Sequence, residues 1–235
     1  MRSIATSNVR CVLGALALAA CIASSACVPS PNIYGTPRTV AQGQNTNAFA
    51  IEGFSYSDRG RRNFAQTRPV LPTFLHRHGF SDRVDGGLRV AGASLGLDAK
   101  IELTRGVFDL AIDPSIYAFG VLCGGCHPNT TAAAHLSLPL LLGLNVTKEF
   151  SILLTPGVIY GVSADPNQND GGLRENSTGF MPRLGLGFDL HVSERFSLSP
   201  EITAIRGNYG AGEHAYMYVF GVGFTFGALP SFAAP

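Results

Sequence analysis

Residues 96–113 read GLDAKIELTRGVFDLAID. Leu97, Ala99, Ile101 and Leu103 alternate with Asp98, Lys100 and Glu102. After Thr104-Arg105-Gly106 the alternation resumes, with Phe108, Leu110 and Ile112 against Asp109, Ala111 and Asp113. A period of two marks a strand, so the stretch is a hairpin with one greasy and one charged face. A water-soluble protein buries the greasy face; a membrane barrel buries the charged one. The fold turns on that choice.

Other segments sharpen it. In 184–192 the alternation sets Leu184, Leu186, Phe188, Leu190 and Val192 against Gly185, Gly187, Asp189 and His191. Residues 135–146 and 214–226 repeat the pattern, with Leu or aromatic residues on one side and mostly Gly, Ser and other small residues on the second. A soluble sandwich or lipocalin would carry Lys, Glu, Thr and Gln on its solvent face. Small residues suit the crowded interior of a narrow barrel. The greasy runs last five or six alternate positions, matching the ~9–11 residues a tilted strand needs to cross a bilayer.

A Lys or Arg facing lipid at mid-depth costs about 2–4 kcal/mol. We therefore expect the charged face inside. There Asp85, Arg89, Asp98, Lys100, Glu102, Asp109, Asp113, Arg183, Asp189 and Glu201 form a lumen charge network of mixed sign.

Ten strands are expected, at roughly 46–56, 70–80, 84–92, 94–103, 107–119, 134–146, 150–162, 179–192, 195–206 and 214–226. The first two are the least regular, and eight is the alternative count. Tight turns at 81–83, 104–106, 147–149 and 192–194 alternate with long connections at 57–69, 120–133, 163–178 and 207–213. Only the link at Gly92–Ala93 is short where a long one is due. Short turns at one end and long loops at the other are the outer-membrane pattern. The expected fold is all-β, an antiparallel up-and-down transmembrane barrel over 45–226, followed by a tail at 227–235.

The ends fit export. Arg2 and Arg10 precede the apolar run Val12–Ala20, the pattern of a signal peptide. Leu18-Ala19-Ala20-Cys21 reads as a lipobox, giving a signal over 1–20 and lipidation at Cys21. Ser24-Ser25-Ala26 is the alternative cleavage site, giving a signal over 1–26. Residues 21–44, rich in Pro, Gly and polar residues, read as a flexible tether. Both ends of the barrel then fall at the short-turn, periplasmic end, where a lipid on Cys21 could sit in the inner leaflet without threading anything.

Composition narrows the function. Charged residues are 14% of the chain, against about 25% in an average soluble domain, and a net charge of +1 gives nucleic acid no purchase. Cys123 and Cys126, among Gly and Pro, read as a loop disulfide in an oxidising compartment. A redox pair would need a strand-to-helix context, and zinc a second ligand pair. No metal or cofactor is expected.

The succession Gly79-Phe80-Ser81-Asp82-Arg83-Val84-Asp85 with Gly87-Leu88-Arg89, then Leu97-Asp98-Ala99-Lys100, then Phe108-Asp109-Leu110-Ala111-Ile112-Asp113-Pro114, resembles small bacterial outer-membrane β-barrel proteins, of lipoprotein type where Cys21 carries the lipid, over about 46–226. The resemblance implies a place in the outer membrane. It also implies a terminal aromatic read by the barrel-assembly machinery; Phe226 takes that part, although Gly227–Pro235 follow it.

The expected role is structural or surface-interacting. The loop at 57–69, with Arg59, Arg61, Arg62 and Arg68, is suited to anionic lipopolysaccharide beside the membrane lipids. Three alternatives stand. One is a narrow channel. Another is a rim hydrolase drawing on His127, His135, His214, Asp165, Asp170, Glu175 and Glu213. The third is a soluble periplasmic lipocalin-like binder.

Overall fold

The computed structural model describes residues 30–57, 68–69, 72–91, 94–122, 130–164, 179–207 and 215–230. Twelve strands run in chain order: β1 (Asn45–Ser57), β2 (Arg68–Pro69), β3 (Thr73–Ser81), β4 (Val84–Ala91), β5 (Ser94–Thr104), β6 (Phe108–Ile112), β7 (Ser115–Leu122), β8 (Thr130–Asn145), β9 (Phe150–Ala164), β10 (Gly179–Ser193), β11 (Phe196–Gly207) and β12 (Ala215–Gly227). The described residues contain no helix.

β6 and β7 are one crossing. Both pair with β5 on one side and β8 on the other in a single register: Ile101↔Ile112 continues into Leu97↔Ile116, and Ile112↔Leu140 into Ser115↔Ser137. The break falls at Pro114, which has no N–H to give the ladder. β2 is a two-residue extension beside Gly53 and Phe54. Ten crossings remain, each antiparallel to its sequence neighbours, and β12 pairs with β1 from Thr46↔Gly227 to Ser57↔Tyr216. The sheet is therefore closed, with no free edge along its length.

Exposure settles which face is outside. Leu97 is 55% exposed and Phe108 72%, while Lys100 and Glu102 are 4% and 3%. Leu184, Leu186, Phe188, Leu190 and Val192 are likewise exposed, and Gly185, Gly187 and Asp189 buried. Outward aromatics gather towards both ends. Phe150 stacks on Phe188 and Phe196 on Phe226 towards the short-turn end, and Tyr160 packs on Phe180 towards the other. An apolar band between aromatic girdles is the lipid-facing surface of a transmembrane barrel. The chain is a barrel of the bacterial outer-membrane type, and a lipocalin-like binder, which needs the greasy face inside, is overturned.

At the short-turn end the ladder slips between Gly79 and Ser81, between Glu102 and Thr104, and between His191 and Ser193. Such bulges add twist at barrel rims. His76 and His78, which look like breaks in alternation, keep it. They face outward at this end and bond Asn47 and Asn45 at 2.9 and 2.8 Å, while Arg77 between them points inward.

One expectation needs correction. Where the composition of 21–44 reads as a tether, residues 30–40 are buried inside the barrel, with Gly35 half-buried, and only the turn at 41–44 is exposed. The segment reverses direction at Ala41–Gln44, with Gly43 at φ 72°, and enters β1. Upstream of that turn it runs back up the lumen instead of leading out to the periplasm.

Candidate functional site: a lumen filled by its own N-terminal segment

An extended backbone inside a barrel has no strand partner, and every buried N–H and C=O must find one. The inward face of the strands supplies them. The amides of Ile33 and Tyr34 donate to one oxygen of Glu201 at 2.8 and 2.9 Å. The Thr39 amide donates to Glu102 at 3.1 Å and the Val40 amide to Asp85 at 2.8 Å. Cations take the carbonyls: Arg89 bonds those of Ser30, Asn32 and Ile33, and the Lys100 Nζ that of Thr36 at 3.0 Å. The Ser30 hydroxyl donates to Glu52.

Side chains add a lower anchor. Arg38 Nε meets Asp109 at 2.5 Å and its Nη2 the Gly106 carbonyl at 3.0 Å, while the Asn145 amide bonds the same carboxylate at 2.7 Å. Beside this, Arg77 fans across Asp85, Asp98 and Asp113 at 2.6, 2.7 and 3.3 Å, and Lys100 lies 3.5 Å from Asp85. In the adjoining turn, hydrogen bonding to Glu102 raises the pKa of Arg105.

Glycines make the room. A methyl placed on Gly223 would fall 2.8 Å from the Tyr34 Cβ; one on Gly221, 2.2 Å from the Tyr34 hydroxyl; one on Gly143, 3.0 Å from the Pro37 ring. Tyr34 itself sits at φ 52°, a left-handed backbone uncommon for a non-glycine. It is held there by Ala48, Ala50 and Leu75 around its ring and by the Asn32 amide, which donates to its hydroxyl at 2.8 Å.

All ten residues of the expected lumen network have buried side chains. The structure does not join them into one cross-lumen lattice. Asp85, Asp98 and Asp113 gather on Arg77, while Lys100 pairs with Asp85 and, like it, also bonds the N-terminal segment. Glu102, Asp109, Glu201 and Arg89 hold the N-terminal segment. Asp189 accepts from Ser199 at 3.0 Å and lies 3.4 Å from His191. Arg183 donates to Thr155 at 3.2 Å and lines a small cavity with Ser30, Tyr117, His135 and Ser137, where its Nε has no partner among the described residues.

Sequence reading misses Glu52, Arg77 and Arg38. Cys21, Cys123 and Cys126 lie outside the described residues, as do Arg59, Arg61, Arg62 and the Arg68 side chain. Of the rim-hydrolase candidates only His135 is described. It faces Phe119 edge-on at 4.9 Å.

No protein-family model matches the chain, and no curated protein sequence matches it. Among solved structures it is similar to Neisserial surface protein A, at 9% identity over 79% of this chain and 97% of that one, with a TM-score of 0.41. It is also similar to the N-terminal β-barrel domain of Pseudomonas aeruginosa OprF, at 18% identity over 79% and 100%, with a TM-score of 0.30. A third likeness is to the outer membrane protease OmpT of Escherichia coli, at 8% identity over 80% and 97%, with a TM-score of 0.41.

Proposed function

We propose that the protein is a closed, internally plugged scaffold of the outer membrane, built to hold its long connections at the cell surface. One observation carries this: the lumen is occupied by residues 30–40, whose main-chain amides and carbonyls are bonded to inward charges. A channel needs a continuous wet path. Here the groups that would line one are spent on the chain's own backbone.

Partners follow from the surface. Arg59, Arg61, Arg62 and Arg68 in the first long connection give it the charge to meet lipopolysaccharide phosphates. Phe226, outward and half exposed at the end of β12, is the aromatic the barrel-assembly machinery would read.

Planar bilayers test the reading. The purified full chain, inserted and shown to be folded by its heat-dependent gel shift, is expected to carry no steady current. A reproducible conductance step would make it a channel instead.

A further inference from the structure

The direction of the lumen segment has a topological consequence. Its downstream end lies at the short-turn end, where Gly43 donates to the Gly79 carbonyl at 2.8 Å and the chain enters β1 at Asn45. Its upstream end lies far above. Ser30 bonds Glu52, seven residues up β1, and Arg89, near the top of β4. It also lines a cavity with Tyr117, His135 and Met217, which stand towards the long-connection ends of β7, β8 and β12. The segment thus climbs more than half the barrel as it is followed towards the N-terminus.

We infer that the mature N-terminus faces the cell-surface side of the membrane, reached by threading up through the chain's own barrel. A strand rising about 3.3 Å per residue at a tilt near 40° climbs about 2.5 Å per residue. Ser30 is therefore about 18 Å above the short-turn end and about 13 Å below the end of β1. The way down is filled by residues 31–40. The way out is up.

Both processing sites then acquire a meaning. Cleavage before Cys21 leaves nine residues ahead of Ser30, which reach at most about 30 Å. That is enough to pass the upper rim, so an acyl group on Cys21 belongs to the outer leaflet; the route down to the inner leaflet is blocked by residues 31–40, which fill the lumen. Cleavage after Ala26 leaves three residues, reaching about 10 Å, so the free terminus lies just inside the upper mouth and opens to the cell-surface side. The inference rests on the outer-membrane reading but not on any loop partner.

The chain's lysines provide the test. There are two: Lys100, buried in the lumen, and Lys148, exposed in the short turn between β8 and β9. A Val28→Lys variant of the full chain adds one amine two residues above Ser30, where about 7 Å of chain and the long lysine stem together bring it to the upper mouth. Intact cells, then permeabilised cells, are treated with a membrane-impermeant amine reagent, and labelled peptides are identified by mass spectrometry. Expected is labelling at position 28 in intact cells and at Lys148 only after permeabilisation. Labelling at position 28 only after permeabilisation or not at all, or of Lys148 alone in intact cells, overturns the inference. Fractionation of the same cells separates the two readings: a protein found outside the outer membrane sinks the membrane placement and this inference with it.

Discussion

Removing the Glu201 carboxylate leaves the amides of Ile33 and Tyr34 buried without acceptors. Each unsatisfied donor costs about 1–3 kcal/mol, so Glu201→Ala is expected to loosen the upper segment and lower the stability of the folded barrel by about 3 kcal/mol. Limited proteolysis reads the first effect directly. Arg38 is 2% exposed, which protects its peptide bond from trypsin in the native chain; in the variant, cleavage after Arg38 should be several-fold faster. Unchanged cleavage would mean that the segment is held without Glu201. Arg38→Ala attacks the lower anchor and leaves Asp109 with the Asn145 and Gly106 donors but no cation. Breaking a buried pair in this way costs about 3–5 kcal/mol, and the urea midpoint of the heat-dependent gel shift should fall accordingly.

At the scale of elements, β12 and the lumen segment constrain one another at Gly223. Its missing side chain is the space that Tyr34 occupies, so Gly223→Ala should destabilise the barrel. Tyr34→Gly in the same chain should recover part of the loss, because it removes the clash and relieves the left-handed backbone. Contacting residues of this kind couple by about 0.5–3 kcal/mol. Additive effects in the urea midpoint would show that the two do not touch. The strands themselves were legible because a period of two survives wherever one face meets lipid, even through His76 and His78. What alternation could not show was the lapse at Pro114, where the register continues but the ladder does not. Nor could it show the lumen segment: a Pro- and Gly-rich polar stretch has the same composition whether water solvates it or distant side chains do. Its partners lie up to 168 residues away. One signal was present. The ten expected lumen charges are seven carboxylates against three cations, an imbalance that calls for donors from elsewhere, and the segment brings them as main-chain amides and Arg38.

For the whole molecule, the inverted arrangement of greasy outside and polar inside makes the lipid face the sensitive one. Leu186 sits midway along β10 and 44% exposed. Leu186→Arg is expected to cost about 2–4 kcal/mol and to deplete the heat-shifting band in the outer-membrane fraction. A variant that assembled normally would argue that this belt is not in the hydrocarbon core. The interior tolerates charge by a different logic, since several of its carboxylates and cations, Glu201, Glu102, Asp85, Arg89 and Lys100 among them, are bonded to backbone groups that cannot be mutated away. That assignment also shapes how the sequence can change over generations. Gly143, Gly221 and Gly223 are spaces whose shapes are set by Pro37 and Tyr34. Descendants of this chain therefore inherit leader and lumen as a matched pair, and drift in one column of their sequences should be answered in the other.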